Sequence, residues 1–237
     1  MYNCIDDGTI CSVENTKEGG GILYVIGLVG PFGSGCSYVA KKIVENHNYE
    51  YLSLSDILRE KYKLKYPQKR KIDRKNLQDF GDEIRQTQGA GYFAQEVCKK
   101  IKQDTTKNYV VDSIRNPEEI NCFRQVFAGF FLFGVFADPD LRWKRVNKIY
   151  DDDRRAFDED DKRDSNGGVD YGQRVTDSFR MADIILLNNE NIVVGNKNEK
   201  LFLAKLRQKI DLIEGNEAFV PTYVETNMAI AYATSMR

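Results

Sequence analysis

The stretch "ILYVIGLVGPFGSGCS", residues 22 to 37, limits what this chain can fold into more than any other segment. The run "ILYVIGLVG" is apolar on both alternating faces and rich in β-branched side chains, which suits a strand buried on both sides in the middle of a parallel sheet. The glycines that follow permit a sharp turn. Val39, Ile43 and Val44 then fall on one helical face, with Lys41, Lys42 and Glu45 on others. Strand, glycine-rich turn and amphipathic helix, in that order, let backbone N–H groups converge on an anion while the helix N-terminus adds partial positive charge.

The turn matches the G-x-x-x-x-G-K-[ST] arrangement at Gly30, Gly35 and Ser37 and departs from it at Cys36, which stands in the lysine's place. Glycine serves where amides must approach an anion with no Cβ in the way. Gly30, Gly33, Ser34, Gly35, Cys36 and Ser37 are therefore the candidate phosphate-binding residues, and the Ser37 hydroxyl is a candidate ligand for a nucleotide-bound Mg²⁺. The loop lacks the mobile cation that neutralises charge as a β/γ bond breaks; such stabilisation is commonly worth ~10²-fold in rate, about 2.7 kcal/mol, or more. Binding is expected to survive this loss better than turnover. A thiolate at a helix N-terminus would repel phosphate, so Cys36 is expected to be a small, neutral space-filler.

Strands and helices alternate downstream. "YEYLSLS" reads as a strand, "DILREKYKL" as a helix, residues 77–101 as one or two helices broken near "GAGY", and "NYVVDSI" as a strand ending in Asp112. In "NPEEINCFRQVF", Asn116 is placed to cap a helix, Pro117 suits its first position and Glu119 completes a capping box. "FAGFFLFGVFA" is a fourth buried strand, and "DPDLRWKRVNKI" opens a helix with Asp138 as its cap. Residues 151–170 break every apolar period and are expected to form a mobile excursion. "YGQRVTDSFRMA", "DIILLNN" and "NEKLFLAKLRQKIDLI" complete a helix–strand–helix series. The alternation predicts an α/β fold of three layers, a mainly parallel five-stranded sheet with helices on both faces. Residues 1–20 read as a flexible lead-in, 21–214 as the phosphate-loop domain with a lid at about 151–170, and 215–237 as a linker and the first helix of a further domain.

Three more constellations carry possible chemistry. Ser55, Asp56 and Arg59 follow the second strand, at the end of a parallel sheet where ligands gather. Asp56 is a candidate to orient or deprotonate an acceptor and Arg59 to bind a phosphate; the alternative is that Ser55 or Asp56 caps a helix. Asp112 is a candidate Mg²⁺ contact and Arg115 a candidate phosphate clamp, against the alternative of a plain surface pair. Arg142, Arg145, Arg154 and Arg155 lie before and within the excursion, where arginines can close over a transferring phosphate. The acidic run "DEDDKRDSNGG" lacks calcium-loop spacing.

Composition removes other classes. A net charge of -1 over 237 residues gives no global attraction to DNA or to an anionic membrane. No stretch approaches the ~20 apolar residues of a membrane span, and a cytoplasmic protein is expected. Five scattered cysteines with no Cys-x-x-Cys pair and the single His47, read as a helix-end residue, supply no zinc site.

Taken together, "GPFGSGCS", "LSLSDILRE", "VVDSIRNPEEI", the arginine-bearing segment and "MADIILLNN" resemble the nucleoside monophosphate kinase and dephospho-CoA kinase branch of the P-loop NTPases, over residues 22 to 214. That resemblance implies acceptor binding and phosphoryl transfer for Asp56, Arg59, Arg115, Arg154 and Arg155. A narrower likeness joins the lysine-free "GSGCS", "RKNLQDFGDEIR", "DSIRNPEEI", "DYGQRV" and "PTYVETNMAIAYATSMR" to the N-terminal half of bacterial anti-phage deoxycytidylate deaminases. It implies a P-loop kinase-like regulatory domain, a homo-oligomer, and a C-terminal zinc-dependent deaminase domain as its partner. The H-x-E and P-C-x-x-C elements of that enzyme are absent here, so any zinc belongs to the deaminase domain alone. Three functions remain open: a nucleotide-sensing module, a working (deoxy)nucleoside monophosphate kinase, and a ligand-free oligomerisation domain.

Overall fold

A computed structural model describes residues 16–17, 20–69, 74–165, 172–189, 195–216 and 227–228. The chain divides into two compact units, Met1–Glu190 and Asn191–Arg237. Most of the expected lead-in, residues 166–170 of the expected lid, and nearly all of the expected C-terminal linker and helix lie outside the described residues.

The first unit is built on five parallel strands: β1 (Val25–Val29), β2 (Tyr49–Ser53), β3 (Asn108–Ile114), β4 (Phe130–Phe136) and β5 (Ile184–Leu187). Their order across the sheet is β2-β3-β1-β4-β5, so the strand that feeds the glycine loop sits in the centre. This is the position its two-sided apolar pattern requires: all five of its residues are buried. Between the strands run α1 (Cys36–His47), α2 (Leu54–Lys65), α3 (Arg74–Gln88), α4 (Tyr92–Gln103), α5 (Pro117–Val126), α6 (Pro139–Val146), α7 (Arg154–Ser165) and α8 (Val175–Arg180). The central strand order changes direction between β1 and β3, which opens a crevice at the carboxyl ends of those strands.

The pleat sends alternate side chains to opposite layers. Val25, Val29, Tyr109, Val111 and Leu132 join one core cluster with Leu54 and Leu58 of α2, Phe93 and Val97 of α4 and Phe123 of α5. The intervening residues Ile26, Leu28, Val110, Phe133 and Val135 are equally buried, and α1 packs on the sheet with its own buried stripe, Val39, Ala40 and Ile43. Burying each such side chain contributes roughly 1.5–3 kcal/mol. In the second unit, α9 (Lys197–Glu214) starts at Asn196, whose side chain accepts the Glu199 N–H at 2.7 Å.

Several expectations are corrected. Strand β2 ends at Ser53 and α2 starts at Leu54, so Ser55 and Asp56 occupy the first turn of a helix; Ser53 holds the cap position and makes no side-chain cap bond. Strand β3 runs past Asp112 to Ile114, through a register shift against β1 and a left-handed Ser113 at φ 69°. The largest correction is α7. Its residues lack an apolar period because one side chain, Phe157, does the anchoring: it is buried and meets Trp143 and Tyr150 edge-on or tilted. The helix is otherwise held by charge pairs to other elements, Asp161 to Arg142 and Arg163 to Asp79 and Asp82.

Candidate nucleotide-binding site

The glycine loop bridges β1 and α1, and each glycine in it answers a steric demand. A Cβ on Gly30 would run into the Val135 carbonyl and the Ser34 hydroxyl. Gly33 and Gly35 have φ of 83° and 102°, a region closed to most side chains. The Ser34 N–H donates to the Pro31 carbonyl at 3.0 Å, closing the turn.

The loop's carbonyls are held from outside. Arg142 donates to Phe32 O at 3.1 Å, Arg145 to Gly33 O and Ser34 O at 3.3 Å each, and the Asn188 amide to Ser34 O at 2.7 Å. Arg142 is itself gripped bidentately by Asp161 of α7 at 2.6 and 2.9 Å. Arg145 also donates to the Asn188 carbonyl at 2.7 Å. The first-turn N–H groups of α1 have no partner within their own helix, so a braced loop presents donors and a positive dipole end to the cleft.

Cys36 sits at the first position of α1, 3.6 Å from the Ser34 hydroxyl. Burial, then the nearby Asp112 carboxylate, push its thiol up to about 12. The sulfur is therefore neutral at physiological pH and supplies no cation. At the next residue, Ser37 Oγ donates to Asp112 Oδ2 at 2.7 Å, and Asp112 Oδ1 accepts the Ser113 N–H at 2.6 Å. A hydroxyl and a buried carboxylate side by side at the end of the glycine loop are hard oxygen donors of the type that would suit Mg²⁺. Among the described residues, no group of three or more His, Cys, Asp or Glu side chains is arranged to hold a metal by itself.

Two clefts adjoin this centre. The first, about 440 Å³, is lined by the whole loop from Gly30 to Ser37 together with Asp112 and Arg145. The second, about 330 Å³, reaches between α2, α3 and α4. Arg59, Arg115, Ser55 and Ser113 line both, so they stand where the two meet. Arg59 is positioned by Ser55 at 2.9 Å and Asp56 at 3.2 Å; Arg115 donates to Gln173 at 2.9 Å.

The structure thus brings together Gly30, Gly33, Ser34, Gly35, Cys36, Ser37, Arg59, Asp112 and Arg115. Asp56 reaches this group through Arg59. Arg154 and Arg155 line neither cleft: Arg154 pairs with Asp158 and Asp140 and lies over Trp143, and Arg155 pairs with Glu159. Spacing alone does not single out Asn188, which holds the Ser34 carbonyl, or Ser113 on the wall common to both clefts.

The family model AAA_17, described as an AAA domain, matches residues 29–163, from the end of β1 to near the end of α7. A UPF0200 protein of Sulfurisphaera tokodaii is 30% identical over 172 residues, 72% of this chain and 90% of the relative. The chain belongs to the AAA_17 family, among the UPF0200 proteins. Another UPF0200 protein, from Methanothermobacter thermautotrophicus, is 26% identical over 79% of this chain and 93% of its own length. In three dimensions the crystal structure of TT1252 from Thermus thermophilus covers 81% of this chain and 97% of its own, with a TM-score of 0.51 at 18% identity, a likeness of fold alone. This AAA_17 domain has the P-loop kinase-like, nucleotide-binding fold that the glycine loop implied. None of its described helices is long and apolar enough to cross a membrane.

Proposed function

We propose that this AAA_17 domain is a nucleotide-sensing module: it holds a nucleoside triphosphate with Mg²⁺ on the loop, admits a phosphorylated small molecule beside it, and transfers phosphate poorly or not at all. The observation that carries this reading is the contrast between adjacent residues. Cys36 is a neutral thiol in the lysine's place, whereas beside it the Ser37 hydroxyl donates to Asp112, two oxygens suited to Mg²⁺. When bound, Mg²⁺ neutralises phosphate charge; the loop and Arg145 fix the triphosphate's place, and Arg59 and Arg115 attract the second anion.

The likeness to anti-phage deoxycytidylate deaminases gives the module a role in a longer cytoplasmic, homo-oligomeric protein: nucleotide occupancy here would gate a zinc-dependent deaminase domain. A second reading, a working (deoxy)nucleoside monophosphate kinase, is favoured by one observation. Arg59 and Arg115 stand on the wall common to both clefts, where a phosphoryl group would pass. Isothermal titration with ATP, dATP, GTP and dCTP tests the primary reading. Micromolar or tighter binding of at least one, lost on removing Mg²⁺, is expected; no binding by any of them sinks it.

A further inference from the structure

The polar contacts that tie α7 to α3 lie in the last turn of α7. Arg163 donates to Asp79 of α3 at 2.7 Å and to Asp82, one turn further along that helix, at 3.3 Å. Asp164, 2% exposed, accepts the Gln78 side-chain N–H at 2.7 Å and lies 3.7 Å from Arg115. In the same turn Asp161 grips Arg142, which donates to the Phe32 carbonyl of the glycine loop. Residues 161 to 164 thus join α3 on one side to the loop on the other. The arginines of the first turn serve mainly their own helix, Arg154 pairing with Asp158 and Arg155 with Glu159, with Asp140 as the outside partner of Arg154.

Apolar burial contributes little to this seat, because Phe157 is the one buried apolar side chain among the described residues of α7. A helix with few buried apolar contacts and partly exposed polar ones opens at a lower free energy than the core, and does so as a unit. An isolated exposed ion pair adds little to holding it, whereas an arginine shared by two carboxylates and a buried hydrogen bond to a carboxylate add more. Arg163, Asp79, Asp82 and Asp164 line neither cleft, so any effect they have on a ligand must run through α7.

We propose that Arg163 and Asp164 latch α7 onto α3, and that α7 detaches as a unit when the latch breaks, freeing the loop that it braces and letting a bound triphosphate escape. The latch itself is independent of any ligand. Its effect on release rests on the reading of the glycine loop as a triphosphate site.

Two measurements on the full chain test the two halves. Without nucleotide, hydrogen exchange of the α7 amides is followed in the unaltered protein, Arg163→Ala, Asp79→Ala and the double variant. Asp79 is altered rather than Asp82 because Asp82 also faces Arg85, at 3.6 Å. Exchange is expected to rise about 10-fold or more across residues 154–165 in Arg163→Ala while α5 is unchanged, and the double variant should exchange no faster than Arg163→Ala, since both changes remove one contact. Then, with Mg²⁺, release of a fluorescent non-hydrolysable triphosphate is timed after addition of excess unlabelled ligand. Arg163→Ala should release it about 5-fold faster or more, and Arg163→Lys, which keeps a cation between the carboxylates, should fall between. Unchanged α7 exchange in Arg163→Ala overturns the latch, as does an equal rise in α5 or effects that add in the double variant. Faster exchange with an unchanged release rate overturns its control of the loop. If the unaltered protein binds no triphosphate, the loop reading fails and the proposed control of release falls with it, while the exchange data alone decide the latch.

Discussion

At the scale of single residues, the site is defined by what stands at 36 and 37. A neutral sulfur 3.6 Å from the Ser34 hydroxyl cannot offset phosphate charge, while at the next position Ser37 donates to Asp112. Replacing it tests how much of the remaining machinery is competent. Cys36→Lys is expected to raise phosphoryl transfer from triphosphate to an acceptor monophosphate by ~10²-fold or more, the usual worth of one well-placed electrostatic stabiliser; a coupled assay measures it. No increase, with triphosphate still bound, would mean that more than the cation is missing. Ser37→Ala removes the hydroxyl of the donor pair. Its triphosphate affinity in Mg²⁺ should fall about 10-fold while its affinity in EDTA is unchanged, read by titration under both conditions. Cys36 was legible from spacing alone; the neutrality expected of it follows from the burial and the Asp112 charge seen in the fold.

At the scale of elements, α7 is the informative case. Its sequence, ten charged or hydroxyl residues in twelve around Ala156 and Phe157, gives no stripe for pattern reading to find, since a helix with one apolar anchor has no period. Tertiary charge pairs supply what periodicity does not, and the helix in turn braces the loop through Asp161, Arg142 and Phe32 O. Asp161→Asn is therefore expected to weaken triphosphate binding although residue 161 lines neither cleft. A 3- to 10-fold loss, with a melting temperature lowered by a few degrees, is the expected result by titration and thermal unfolding; unchanged affinity would detach α7 from the loop. By contrast α5 was legible in full. Asn116 accepts the Glu118 N–H at 2.9 Å, and Glu119 returns to the backbone of Asn116 at 3.1 Å, the reciprocal pair that local sequence encodes. The central strands were legible on a different ground, because parallel strands buried on both faces are written as near-continuous apolar runs. Gln78 and Arg85 were not, because a polar side chain buried across three helices leaves no mark in one-dimensional spacing.

At the scale of the whole domain, the two adjoining clefts, the braced loop and the arginines on their common wall support the proposal of a module that holds a triphosphate on a loop with no lysine at position 36. The central claim is retention of the bound triphosphate. It is tested most directly by incubating the protein with γ-³²P-labelled triphosphate, Mg²⁺ and a mixture of deoxynucleoside monophosphates, then separating protein-bound nucleotide from products over time. The account predicts stoichiometric bound triphosphate that stays intact over many minutes, with label appearing in the acceptor only in Cys36→Lys. Label transferred by the unaltered protein at about 1 to 100 s⁻¹, the rate of working kinases, would contradict it.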